Sequence, residues 1–322
     1  MRTYRHGFKY FSVVNNVSDN LTCVEFIRCS PERMIPLTDK RITYSGRFVD
    51  TASKLNTKGP YAAMGTGDSA NIVGIEDRWA QSPLVRDLNK ELENFKEEAF
   101  YKTFLEKLED SLVRRYGIKL SELHSGMKNG VPLSEKVMND ALYSVKNFTR
   151  WDVPPTEPAF RTQMLFGGFD QKSKEMKMYI VQAPSVVDNL GQPFNILGSG
   201  SDLGAPVLGR YFSLLPSHKK DNISLEDGLY VGLEAMIRGE GNIGVGGNPG
   251  IGLMEKDEDV KKFSDDVCGV MRNTVEKSLM GEIDANKAKE LLGKLVNNEI
   301  STEDAAKEIS SPLDAKNYIF SR

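Results

Sequence analysis

Thr22-Cys23-Val24-Glu25-Phe26-Ile27-Arg28-Cys29-Ser30-Pro31-Glu32-Arg33-Met34-Ile35-Pro36-Leu37-Thr38-Asp39-Lys40-Arg41-Ile42-Thr43 is the stretch whose reading decides the fold. Residues 22–29 are rich in β-branched and aromatic side chains and predict a strand. Ser30-Pro31-Glu32-Arg33 turns the chain, and Met34–Leu37 returns as a short second strand. Ala52-Ser53-Lys54-Leu55 follows, then an apolar strand at Tyr61-Ala62-Ala63-Met64. That strand runs into Gly65-Thr66-Gly67-Asp68-Ser69-Ala70, the expected start of a helix.

In this order the residues resemble the opening of a proteasome β-type subunit, an N-terminal-nucleophile (Ntn) hydrolase. That family begins its mature chain with Thr on a strand and follows a hairpin with an Asp-containing basic turn. A Lys on a later strand and a Gly-rich turn into the first helix come next. Thr22, Asp39, Lys54 and Gly65 fall in those roles, with Asp39 seventeen and Lys54 thirty-two residues after Thr22. The resemblance covers roughly residues 20–80, with a second patch at Gly198-Ser199-Gly200, similar to the family's turn into its third helix. It implies an α+β fold, the four-layer αββα sandwich of two facing antiparallel sheets with helices outside.

The resemblance also implies a chemistry. The Thr22 hydroxyl would attack a carbonyl while its own α-amine, with a pKa near neutrality, takes the proton. Lys54 would favour the neutral amine, Asp39 would orient Lys54, the Gly65 N–H would face the oxyanion, and Ser199 would complete the proton network. This mechanism requires removal of residues 1–21, because a Thr nitrogen inside a peptide bond is no base. Leu21 stands where the family has Gly before the nucleophile. Cys23 is the neighbouring alternative nucleophile. The first functional expectation is a threonine-type peptidase or amide-bond enzyme, with peptide-ligase chemistry within range. The second is a catalytically silent proteasome-like subunit that forms or gates a ring, with residues 1–21 retained. Taken singly, Thr22 is also a plain strand residue, Asp39 a turn former, Lys54 a solvated strand end and Ser199 a helix cap.

Outward from this stretch, Leu84, Leu88, Leu92, Phe95, Phe100, Phe104, Leu108 and Leu112 recur at helical intervals over Asp77–Tyr116, with a break near Ser82-Pro83. Residues 117–150 read as a helical insertion containing a helix at Leu133–Val145. Trp151–Pro158 breaks regular structure, and Ala159–Phe169 with Met176–Gln182 predicts a hairpin. Ser224-Leu225-Glu226-Asp227 caps the next helix. Gly239-Glu240-Gly241-Asn242-Ile243-Gly244 matches G-x-G-x-x-G, but a helix precedes it and a strand follows, the reverse of the dinucleotide context. In the family this place holds an acid beside the nucleophile's amine, and Glu240 and Asn242 are the residues available for that role. The resemblance thus implies an Ntn-like domain over residues 22–255, and 256–322, charged and helical, reads as an appended C-terminal module.

Composition narrows the classes. The chain has 322 residues, 39% of them hydrophobic and 27% charged, which suits a globular core. A net charge of −3 argues against nucleic acid as a partner. No apolar run reaches the roughly 18–20 residues of a membrane span, and Met1–Tyr10 lacks a signal-peptide core. Three cysteines without CxxC spacing fit reduced thiols and a cytoplasmic location. Three scattered histidines give no metal pattern, so neither metal nor cofactor is expected. The expected partners are a peptide or protein substrate and further copies of the chain.

Overall fold

A computed structural model describes residues 23–40, 42–44, 47–49, 54–150, 159–183, 185–188, 192–241 and 245–310. Thr22, the 1–21 extension, the break at 151–158 and Asn242 lie outside the described residues.

The fold is α+β, with two five-stranded antiparallel sheets. β1 (Val24–Ser30) and β2 (Arg33–Thr38) pair as a hairpin, as the β-branched and aromatic run and the turn at Ser30–Arg33 predict. A small hairpin, β3 (Ile42–Tyr44) and β4 (Arg47–Val49), follows. β5 (Leu55–Lys58) and β6 (Tyr61–Gly67) then open the second sheet, and α1 (Ser69–Gln81) leaves it. Asp68 caps α1 by accepting from Ala70 N and Asn71 N, and the helix ends at Ser82, before Pro83. The leucine-rich stretch continues as α2 (Leu88–Asn94), a π-helical turn at Phe95–Tyr101 and α3 (Lys102–Tyr116).

The expected 117–150 insertion holds α4 (Leu120–Ser125), the two-residue strands β7 (Met127–Lys128) and β8 (Val131–Pro132), and α5 (Glu135–Asn147), capped by Ser134. The predicted hairpin is β9 (Thr162–Asp170) with β10 (Glu175–Gln182), extended by β11 (Ser185–Asp188). β12 (Phe194–Leu197) precedes α6 (Ser201–Leu214). Ser224 caps α7 (Leu225–Gly239) by accepting from Asp227 N, as the capping pattern predicts.

The strand expected after the glycine-rich turn is β13 (Gly250–Glu255), whereas the helix that the sequence pattern predicts from Asp257 is preceded by an edge strand, β14 (Lys261–Lys262). Only then come α8 (Asp265–Leu279), α9 (Ala285–Val296) and α10 (Thr302–Ser310). Backbone bonding decides this difference. Val260 N donates to Gly59 O at 2.9 Å and Lys262 Nζ to Leu55 O at 2.7 Å, so 257–262 closes the gap between the edges of the two sheets.

The first sheet runs β12-β1-β2-β13-β14 and the second β11-β10-β9-β6-β5. Strand alternation sorts the side chains. Val24, Phe26 and Met34 of the first sheet meet Leu55, Ala62, Met64, Leu165 and Met178 of the second in one apolar cluster. On its other face the first sheet offers Ile27, Cys29, Ile35 and Leu37 to α6 and α7. On its own other face the second sheet packs against α1, α2, α3 and the insertion, where Trp79 and Phe95 lie 5.7 Å and 5.0 Å from Phe166. The 256–322 segment adds Cys268, Met271, Val275, Leu292, Leu295 and Val296 to the cluster around Ile27 and Leu37. Its helices therefore share a core with the first sheet.

Candidate active site

β1 and β2 pair through Val24↔Thr38, which places the residues just beyond, Cys23 and Asp39, side by side. They bond in both directions: Asp39 N donates to Cys23 O at 2.9 Å, and Cys23 N donates to Asp39 Oδ1 at 2.9 Å. The same Oδ1 accepts from Lys54 Nζ at 2.8 Å, an ion pair in which Asp39 is 1% and Lys54 8% exposed. Asp39 follows a strand of the first sheet and Lys54 precedes a strand of the second, so the pair joins the sheets. A buried ion pair is weak evidence of stability, because desolvation offsets most of its attraction. Its position, at the residue just before β1, is therefore the informative part.

Of the five residues that the sequence singles out, the structure brings together Asp39 and Lys54. Gly65 is an interior residue of β6, paired with Met164. The register Leu55↔Met64, taken one step further, sets Gly65 opposite Lys54. Its lack of a side chain serves packing, since a Cβ there would sit 2.7 Å from Ile72 and 2.8 Å from Met164. The turn into α1 is made two residues later by Gly67, at φ +110°, where a Cβ would overlap Arg161 O. Ser199 sits in the turn between β12 and α6, between Gly198 at φ +100° and Gly200.

Gly200 was legible only as part of the Gly-Ser-Gly turn, and its role is close approach. A Cβ on it would lie 2.9 Å from Cys23 Cβ and 3.2 Å from Cys23 Sγ. Gly239, at the end of α7, packs against Gly200 in turn, a Cβ there falling 3.2 Å from Gly200 O. The wall behind Cys23 is thus two glycines deep, and Glu240 follows directly. Burial above all pushes the Cys23 thiol well above its ordinary pKa; the charges of Asp39 and Glu240 add to the rise and Lys54 acts in the opposite direction. Cys23 is fully buried and its thiol stays protonated. Cys23 also has the β1 parity of Ile27, which faces the helices, and not that of Val24 and Phe26 between the sheets.

Glu240 is held by Arg272 of α8, Nη2 to Oε2 at 2.6 Å. No sequence signal joins these residues, which lie 32 apart. Among the described residues no three His, Cys, Asp or Glu side chains gather as a metal site, and no helix is long and apolar enough to cross a membrane. No protein-family model matches the chain, and no curated protein matches it in sequence.

Proposed function

We propose that the chain is an Ntn-type amide-bond enzyme, a threonine peptidase or amidohydrolase, with Thr22 as nucleophile once residues 1–21 are removed. The observation that carries this reading is the sharing of Asp39 Oδ1 between Lys54 Nζ and the backbone N of residue 23, the neighbour of Thr22. The four-layer αββα sandwich of the family is consistent with two sheets sharing one apolar face and carrying helices on the other. The buried, protonated thiol and its parity favour Thr22 over Cys23.

In the reaction the Thr22 Oγ–H bond gives its proton to the residue's own α-amine as Oγ bonds the substrate carbonyl carbon. The Lys54 ammonium beside the site disfavours a second positive charge and so keeps the amine neutral. The tetrahedral intermediate collapses with cleavage of the C–N bond, and the α-ammonium returns the proton to the leaving nitrogen. Water, or a second amine, then attacks the Thr22 ester, giving hydrolysis or ligation. Exposure of the amine needs an earlier step at Leu21–Thr22, in which Oγ attacks the Leu21 carbonyl and the resulting ester is hydrolysed.

β-Lactone and epoxyketone probes test this. They are expected to label the wild type at Thr22, to leave Thr22→Ala unlabelled, and to retain slow labelling of Thr22→Ser. Label at Cys23 would move the nucleophile to the thiol. A second reading, a silent ring-forming subunit, is favoured by the closed, two-way bonding of Cys23 and Asp39 in the uncleaved chain; absence of any label in folded protein would establish it over the first.

A further inference from the structure

We infer that α8, from the C-terminal segment, borders the active site, with Arg272 as a positioning residue that holds Glu240 in the turn behind Cys23, the residue after the proposed nucleophile. This rests on the Ntn reading above and adds to it a residue from outside the stretch that resembles that family.

The geometry begins with the spacing on α8. Asp265 and Arg272 are seven residues apart, two helical turns, and therefore share a face. Asp265 forms an ion pair with Lys40, the residue after Asp39. Arg272 reaches the opposite flank. Its Nη2 donates to Glu240 Oε2 at 2.6 Å and to Glu276 Oε1 at 2.8 Å, and its Nη1 donates to Gly247 O at 2.5 Å. Between these anchors Gly269 comes close to Asn248, so the helix lies along the loop from α7 to β13. One helix face thus clasps both margins of the residue-23 site, the Asp39-Lys40 turn and the Glu240 turn.

Arg272 is suited to this because a guanidinium fork can satisfy a carboxylate and a carbonyl at once in fixed geometry, which an ammonium cannot. Its side chain is 19% exposed and that of Glu240 23%, so their charges are only partly screened by solvent. Glu240 follows Gly239, which packs on Gly200 and through it on Cys23, and its charge adds to the rise of the Cys23 thiol's pKa. An unbalanced Glu240 carboxylate would favour the protonated form of a nearby α-amine, the form that cannot act as base. Arg272 balances that charge while fixing its direction.

The two partners consequently predict opposite effects. In Arg272→Ala the acid limb of the pH profile for probe labelling moves to higher pH, and labelling at pH 7 falls about tenfold, a shift of roughly one pKa unit. In Glu240→Gln the acid limb moves to lower pH. The double variant returns towards the wild-type profile, and Arg272→Lys, which keeps charge without the fork, lies between wild type and Arg272→Ala. A purely structural Arg272 would lower the melting temperature and move none of these limbs. If Arg272→Ala does not fold, the near-isosteric Glu240→Gln carries the test alone. Labelled wild type with unmoved limbs in the folded variants overturns this inference and leaves the Ntn reading standing. A wild type that folds, keeps residues 1–21 and takes no label overturns both.

Discussion

Strand β5 and the residue before it carry two lysines, the buried Lys54 and the partly buried Lys58, and each meets a buried carboxylate in a different way. Lys58 Nζ donates to Glu91 Oε1 at 2.9 Å, and Glu91 also accepts from Trp79 Nε1 at 2.7 Å and Val85 N at 2.9 Å. All three donors belong to the second sheet and the helices and loop on its outer face. This carboxylate is a staple within one layer pair. Asp39 instead collects donors from both sheets, the Cys23 N–H of the first and the Lys54 ammonium of the second. Both pairs set a lysine against a carboxylate at similar side-chain burial. What separates them is where the donors come from, and only the Asp39 pair sits where the chain enters β1.

The comparison is open to being broken, most severely at Glu91. Glu91→Ala leaves the Trp79 indole N–H and the Val85 N–H without their acceptor and takes the counter-charge from Lys58, whose ammonium keeps only Ser82 Oγ and Pro83 O. A loss of about 3–5 kcal/mol is expected, seen in chemical denaturation, with probe labelling of the folded fraction unchanged. Lys54→Ala should do the reverse. Labelling is expected to fall by at least ~100-fold, while stability falls less than in Glu91→Ala because Asp39 keeps the Cys23 N–H. Wild-type labelling in Lys54→Ala would reduce the Asp39 pair to a second staple.

A third buried carboxylate sharpens the contrast. Glu25 is fully buried in β1 against Gly232 of α7, and among the described residues neither of its oxygens has a hydrogen-bond partner. Burial raises its pKa well above the ordinary 4.5. The folded state therefore retains a proton that the unfolded chain gives up. The stability this confers is complete below pH 4.5 and declines as pH rises towards the folded value, by at most about 1.4 kcal/mol per pH unit. Denaturation midpoints of the wild type measured from pH 4 upward should show this decline, and Glu25→Gln should flatten it. The smallest effect is expected at the surface. Glu98→Ala, which removes the exposed pair with Lys102, should leave both melting temperature and labelling unchanged.

Much of the fold was legible because it is written in short-range patterns. The β1–β2 hairpin follows from the β-branched and aromatic residues on either side of the Ser30–Arg33 turn, α7 from the Ser224 cap, and the end of α1 from Ser82-Pro83. The site was legible in part. Asp39 and Lys54 were named by order and spacing, and they do meet. Gly65 shows the limit of a motif reading, since neighbouring glycines look alike in sequence. Only backbone geometry shows that Gly67 makes the turn while Gly65 makes room for Ile72 and Met164. Edge closure by 257–262 overrode a helical pattern, because its bonds run to Gly59 and Leu55, some 200 residues back. The Glu240–Arg272 pair left no trace in spacing, since a helix terminus and a separate helix face are brought together only by the core under α8.

The central claim concerns a single bond, Leu21–Thr22. Intact-mass measurement with N-terminal sequencing of folded, probe-reactive protein tests it most directly. The account predicts a chain that begins at Thr22, and a Thr22→Ala variant that carries no label. A probe-reactive chain that still begins at Met1 would contradict the account, because the nitrogen of Thr22 would then be an amide and could take no proton.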